Sequence, residues 1–161
     1  MDVAWYPAAD FGNRALIHVR APLPGDIETI GQDAAEDWVR DQFKRGTDFS
    51  ELISKPFTHV ATIDGRPIAG GGFFDRGDMA IAWSVGGVAP PDMFVTLRRA
   101  FRQLIEATPF KVVEAHCIAT FHQSHRWVMC LGFEPVNGER CFMPDGREFR
   151  RFIFRNAPYG T

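Results

Sequence analysis

Cysteine is scarce in this 161-residue chain: there are three, Cys117, Cys130 and Cys141, and no C-x-x-C pair among them. That excludes a zinc ribbon and a thioredoxin-type motif and leaves reduced, partly buried thiols as the expectation. Long hydrophobic runs are missing too, and none approaches the roughly 20 residues that cross a bilayer, so no membrane role is expected. An excess of one charge is also lacking. The 18 basic and 20 acidic residues leave a net charge of −2, which gives nucleic acid no electrostatic footprint. The first residues, Met1-Asp2-Val3-Ala4-Trp5, have neither the basic nor the apolar stretch of a signal peptide, so the expected location is the cytoplasm. No repeat or low-complexity stretch interrupts the chain. What is there, 45% hydrophobic and 24% charged, suits one globular domain spanning 1–161.

Hydrophobic periodicity orders the elements. Residues 15–20 alternate as a strand, and Asp26 stands where it would cap a helix carrying Ile27 and Ile30. A second helix is predicted over 33–44, with Ala34, Trp38 and Phe43 turned inward and Gly46 closing it. Residues 57–63 then read as a strand, and Asp64-Gly65 suits a tight hairpin turn because both positions tolerate positive φ. Strands at 68–74 and 79–85 complete a meander. Beyond Pro90-Pro91 the period becomes helical: Phe94, Leu97, Phe101, Leu104 and Ile105 share a face, Arg98, Arg99 and Arg102 turn elsewhere, Asp92 is the natural N-cap and Pro109 ends the helix. A strand over 112–119, a short helix over 121–131 stopped by Gly132, and a hairpin turning at Pro144-Asp145-Gly146 follow. This order, β-α-α-β-β-β-α-β-α-β-β, predicts a mixed α/β (α+β) fold: a central, mostly antiparallel twisted sheet with helices on both faces. Residues 79–119 form its predicted parallel crossover.

The order of elements resembles the GNAT (Gcn5-related N-acetyltransferase) fold. Residues 124–133, ending Leu131-Gly132-Phe133, resemble the stretch in which a short GNAT helix ends in Leu-Gly-Phe, and residues 63–70 resemble the hairpin before that family's cofactor strand. Trp83, Arg98-Arg99-Ala100-Phe101 and Arg126-Trp127 are further similar to GNAT-like proteins of tailed bacteriophages, of the internal virion protein A type. The resemblance implies acetyl-CoA as cofactor, with Trp83, Ser84 and Val85 along the pantetheine arm and Gly86, Gly87, Val88 and Ala89 toward the pyrophosphate. It also implies host cytoplasm or virion as the location.

Two features set this chain apart from the family pattern. A pyrophosphate loop needs free backbone N–H groups at a helix N-terminus. Where GNAT proteins carry Arg/Gln-x-x-Gly-x-Gly/Ala, this chain has Val88-Ala89-Pro90-Pro91-Asp92-Met93. Two prolines remove donors, and Asp92 brings a carboxylate to the place of a phosphate. The family's usual acid is a tyrosine four residues before the glycine of Leu-Gly-Phe, and Val128 stands there. Candidates for a base are Glu114 and His116, two residues apart and so on one face of a strand. A carboxylate beside an imidazole can hold it in a useful tautomer; the favoured alternative is that both face solvent or hydrogen-bond within the sheet, since polar strand residues usually face water. Trp83 reads as a wall of an acceptor cleft or as core. His116, His122 and His125 lack a patterned carboxylate or cysteine partner, so no metal is expected. The alternation of Arg147, Arg150, Arg151 and Arg155 with Phe149, Phe152 and Phe154 reads as an edge strand rather than an RNA surface.

Two readings stand. One is an acyl-CoA-dependent N-acyltransferase with an amine acceptor. The other is a GNAT fold without catalysis, a virion component or a host-interacting protein with a protein partner, favoured by the prolines, Asp92 and Val128.

Overall fold

The structure is a computed structural model. It describes residues 4–7, 16–34, 36–86 and 94–156, with the backbone alone described at 4–7 and 16. In chain order the elements are β1 (Ala4–Pro7), β2 (Leu16–Arg20), α1 (Asp26–Gln32), α2 (Asp37–Lys44), α3 (Ser50–Ile53), β3 (His59–Ile63), β4 (Arg66–Asp75), β5 (Met79–Gly86), α4 (Phe94–Glu106), β6 (Val112–Ile118), α5 (His122–Leu131), β7 (Glu134–Pro135), β8 (Cys141–Phe142) and β9 (Glu148–Arg155). This is the expected mixed α/β chain, with mostly antiparallel strand pairing and a parallel pair, β5 with β6. No helix among the described residues is long and apolar enough to cross a membrane. The chain divides into two compact units, Met1–Phe73 with Ser84–Ala100, and Phe74–Trp83 with Phe101–Thr161.

In the first unit β1, β2, β3 and β4 follow one another in an antiparallel ladder. The β3–β4 hairpin turns at Asp64 (φ 49°) and Gly65 (φ 82°), the two positive values a type I′ turn requires. Helix α1 buries Ile27 and Ile30 completely, with Ile17, Val19 and Val60 as further core residues of the unit. Its seat on the sheet is the glycine run of β4, where a Cβ added at Gly70 would lie 3.2 Å from Ile27 Cδ1 and 3.4 Å from Ile30 Cδ1. The glycine run thus lets a helix approach the strand closely.

Two expectations are corrected here. Asp26 is not the N-cap: Gly25 holds that position in a left-handed conformation, and Asp26 is the first helical residue. Its carboxylate accepts the Leu23 N–H at 2.6 Å and pairs with Arg20 at 2.6 and 3.0 Å, so it braces the turn before the helix. Trp38 is 40% exposed rather than inward, and it is the second residue of α2, which begins at Asp37. Strand β1 had no alternation long enough to announce it.

In the second unit β6 lies between β5 and β9, and β9 pairs on its far side with β7 and β8. β9 is therefore an interior strand, not the edge that its Arg/Phe alternation suggested. Two very short strands cover it, and neither is long enough to be read from periodicity. Directly opposed residues of an antiparallel pair share a face, and neighbours along a strand alternate. One face accordingly carries Val113, Ala115 and Cys117 with Phe152 and Phe154, all buried under α5, whose Val128 and Leu131 are buried as well. Phe133 meets Phe154 at 5.4 Å between ring centres, and Trp127 meets Phe101 edge-on at 5.9 Å. The opposite face carries Glu114, His116, Phe149, Arg151 and Ile153. On α4, Phe94 is 39% exposed at the first helical position, while Leu97 and Ile105 are buried as the helical period requires.

Candidate active site

The second of these faces holds the chemistry. Glu114 and His116 point the same way from β6, and His116 Nε2 lies 3.1 Å from Glu114 Oε2. Across the ladder Arg151 stands opposite His116, and its Nη2 donates to Glu114 Oε1 in a short ion pair. The ring of Phe149 stacks on the imidazole at 4.7 Å between centres and 29° between planes. Glu114 is only 7% exposed. Burial pushes its carboxyl up, but the hydrogen bonds from Arg151 and His116 and the charge of Arg151 outweigh this and hold it below the usual carboxylate range. The group is therefore an anion at neutral pH, and an anion can only accept. In the hydrogen bond between them His116 Nε2 is therefore the donor and the carboxylate the acceptor.

The two residues predicted as base candidates are thus brought together. Glu114 is already committed to two partners, and His116 keeps a free nitrogen. Arg151 was missed, although one signal could have found it. Arg150 and Arg151 are adjacent in a strand and must face opposite ways, and the buried parity of Phe152 and Phe154 assigns Arg151 to the face of Glu114. His122 and His125 meet ring to ring at 5.3 Å, and His125 Nε2 reaches the Ile118 carbonyl at 2.8 Å, a local role at the start of α5. Among the described residues no three His, Cys, Asp or Glu side chains gather as metal ligands.

On β5, the register with β6 runs from Met79↔Val112 to Ala82↔Ala115, and β5 continues beyond it through Trp83, Ser84, Val85 and Gly86. Trp83 Nε1 is a buried donor without a hydrogen-bond partner among the described residues. Ser84 is exposed, and a Cβ added at Gly86 would meet nothing closer than 3.9 Å. Gly87, Val88 and Ala89, with Pro90, Pro91, Asp92 and Met93, lie outside the described residues. Val128, at the place of the family's tyrosine, is buried in α5.

No protein-family model matches the sequence. A search of curated proteins also returns no match. Solved structures do match. A GNAT-family acetyltransferase of Streptococcus pneumoniae superposes with a TM-score of 0.61 at 8% identity, covering 88% of this chain and 99% of its own. The chain has the GNAT fold. The ribosomal-protein-S18-alanine N-acetyltransferase of Escherichia coli gives a TM-score of 0.60 at 17% identity, over 89% of this chain and 96% of its own. A Salmonella typhimurium protein assigned as an acetyltransferase and solved with its cofactor acetyl-CoA gives 0.61 at 11% identity, over 90% and 96%. At these identities the likeness speaks for the fold alone. Any GNAT chemistry has to be argued from the residues.

Proposed function

We propose that this protein is an N-acetyltransferase that moves the acetyl group of acetyl-CoA directly to an amine. The observation that carries the reading is the Glu114–His116 pair, a buried carboxylate fixing an imidazole on β6 of a GNAT fold. Acetyl-CoA supplies a thioester whose acyl carbon accepts an amine and whose sulfur departs as thiolate. His116 takes the proton that the attacking nitrogen loses, on Nδ1, while Glu114 holds the ring from Nε2. The strand end Trp83–Gly86 offers its backbone to the pantetheine arm, and the unpartnered Trp83 Nε1 offers one more donor. Gly86, Gly87, Val88 and Ala89 are given to the pyrophosphate on the strength of the family resemblance. With a valine at the family's tyrosine position, the thiolate takes its proton from water.

Titration calorimetry with acetyl-CoA tests this reading, with Asp92→Gly as a companion protein. Micromolar binding by the unmodified protein, followed by thiol release in the presence of an amine, supports it. Absence of heat together with absence of a thermal shift overturns it. Binding gained only in Asp92→Gly would instead identify the prolines and Asp92 as a closed pyrophosphate loop. The second expectation, a GNAT fold serving a phage particle or a host partner, would then take over. Trp83, Arg98-Arg99-Ala100-Phe101 and Arg126-Trp127 are what support that phage-type reading.

A further inference from the structure

We propose that Asn137–Gly138 is a modification site, where the Asn137 amide is lost spontaneously as ammonia and an aspartate or isoaspartate takes its place. The Gly138 nitrogen attacks Cγ of Asn137 and gives up its hydrogen, while the Cγ–N bond breaks and ammonia leaves. A cyclic imide remains. Water then opens it at either carbonyl, giving aspartate at one and isoaspartate at the other. The balance is a water taken up, an ammonia released and a negative charge gained, with no oxidant and no partner enzyme. Such an attack needs a following residue that leaves its backbone nitrogen open, and glycine does so because it has no Cβ.

The structure selects this residue among its rivals. The chain has three asparagines, Asn13, Asn137 and Asn156, and Asn13 lies outside the described residues. The half-buried Asn156 donates its amide to the carbonyls of Ile105 and Phe110 at 3.1 and 2.9 Å and to Thr108 Oγ1 at 3.4 Å. That amide must leave all three before its carbon can be attacked. Asn137 is exposed, and among the described residues nothing hydrogen-bonds its side chain or the Gly138 N–H. Gly138 stands at φ 125°, and a Cβ added there would meet nothing within 4 Å. The two Asp-Gly turns are poorer sites, because an ionised carboxylate resists a nucleophile. At Asp145–Gly146 both partners are also engaged. The Gly146 N–H donates to the Met143 carbonyl at 2.9 Å, and the Asp145 carboxylate accepts the Arg147 N–H at 3.1 Å and its Nε–H at 2.7 Å.

The place of Asn137 gives the change a consequence. Residues 136–140 join β7 to β8, the two short strands that cover β9, and the Val136 N–H ties this connection to the Arg151 carbonyl at 2.9 Å. Isoaspartate routes the main chain through its own side-chain carbon and so lengthens a connection pinned at both ends. Either product places a new carboxylate two residues before Glu139, which already adds negative field at Arg151, the partner of Glu114. Age thus alters the cover of β9 and the charge beside the Glu114 cluster together.

The test holds the folded, full-length protein for days at mildly alkaline pH, beside a sample unfolded in urea and an Asn137→Gln variant. Peptide mass spectrometry reads amide loss at each asparagine. A carboxyl methyltransferase selective for isoaspartate, supplied with labelled S-adenosylmethionine, reads the isoaspartate in the intact protein before any digestion. No acyl donor enters, so the outcome is independent of the acetyltransferase reading. Folded Asn137 is expected to convert at least about tenfold faster than Asn156, whose amide is held by its three acceptors. Methyl incorporation should grow with time in the unmodified protein and be lost in Asn137→Gln. Asn137 that keeps its amide in the folded protein while converting in urea overturns the proposal. So does equal conversion of Asn137 and Asn156 in the folded protein, because exposure and free hydrogen-bonding groups would then select nothing.

Discussion

Replacing Gly132 by alanine puts a number on the Leu-Gly-Phe turn. Gly132 ends α5 at φ 106°, a left-handed conformation that costs a residue with a Cβ about 1–2 kcal/mol. The new Cβ would lie 3.0 Å from Cε2 and 3.4 Å from Cδ2 of Phe154. That ring is 6% exposed and packs against Phe133, so it has little room to turn away, and overpacking of this kind costs about 1–3 kcal/mol. Alanine also restricts the unfolded chain, which offsets about 0.4–1 kcal/mol. The net expectation is a loss of about 2–4 kcal/mol. Gly146 is the natural comparison, because it has φ 88° but nothing within 4 Å of an added Cβ. Gly146→Ala should therefore cost only the backbone term, about 1 kcal/mol. Urea unfolding of both variants reads the difference, and with a slope near ~2 kcal/mol/M the Gly132→Ala midpoint should fall by about 1 M or more. Equal midpoints for the two variants would show that Phe154 yields, and the crowding argument would be refuted.

Two further outcomes are expected. Burial pushes the Asp26 carboxyl up, but the hydrogen bonds from Arg20 and the Leu23 N–H, with the charge of Arg20, hold it below its ordinary value. Its contribution is therefore present above about pH 4 and lost as pH falls through the lowered folded value. Asp26→Asn should cost about 1.5–3 kcal/mol at neutral pH and flatten the acid side of the stability curve. Identical curves for the two proteins would show that the Arg20 pair contributes nothing. His116→Gln should lower kcat/KM for amine acetylation about 100-fold while leaving the dissociation constant for acetyl-CoA unchanged. Undiminished thiol release by that variant would mean the amine loses its proton elsewhere.

Much of the fold was legible because local chemistry decided it. Asp64-Gly65 selects a type I′ turn in any context, the helical period marks a face of α4 on which Leu97 and Ile105 are buried and Phe94 is not, and Gly132 stops α5 through its own backbone freedom. The sharing of a face by Glu114 and His116 was also fixed by the sequence, since residues two apart in a strand point the same way. What the sequence left open depended on residues far apart in the chain. β9 became an interior strand because β7 and β8, two residues each, pair with it, and strands so short leave no period to read. Asp26 turned from helix cap to brace because Arg20 lies within reach of its carboxylate. Arg151, 37 residues beyond Glu114, meets the carboxylate that His116 also contacts only because the β6–β9 register brings it there. Sequence patterns determine which way a side chain points. Which buried charge it meets is decided by tertiary pairing, because an ion pair takes its energy from burial and distance, and neither is a local property.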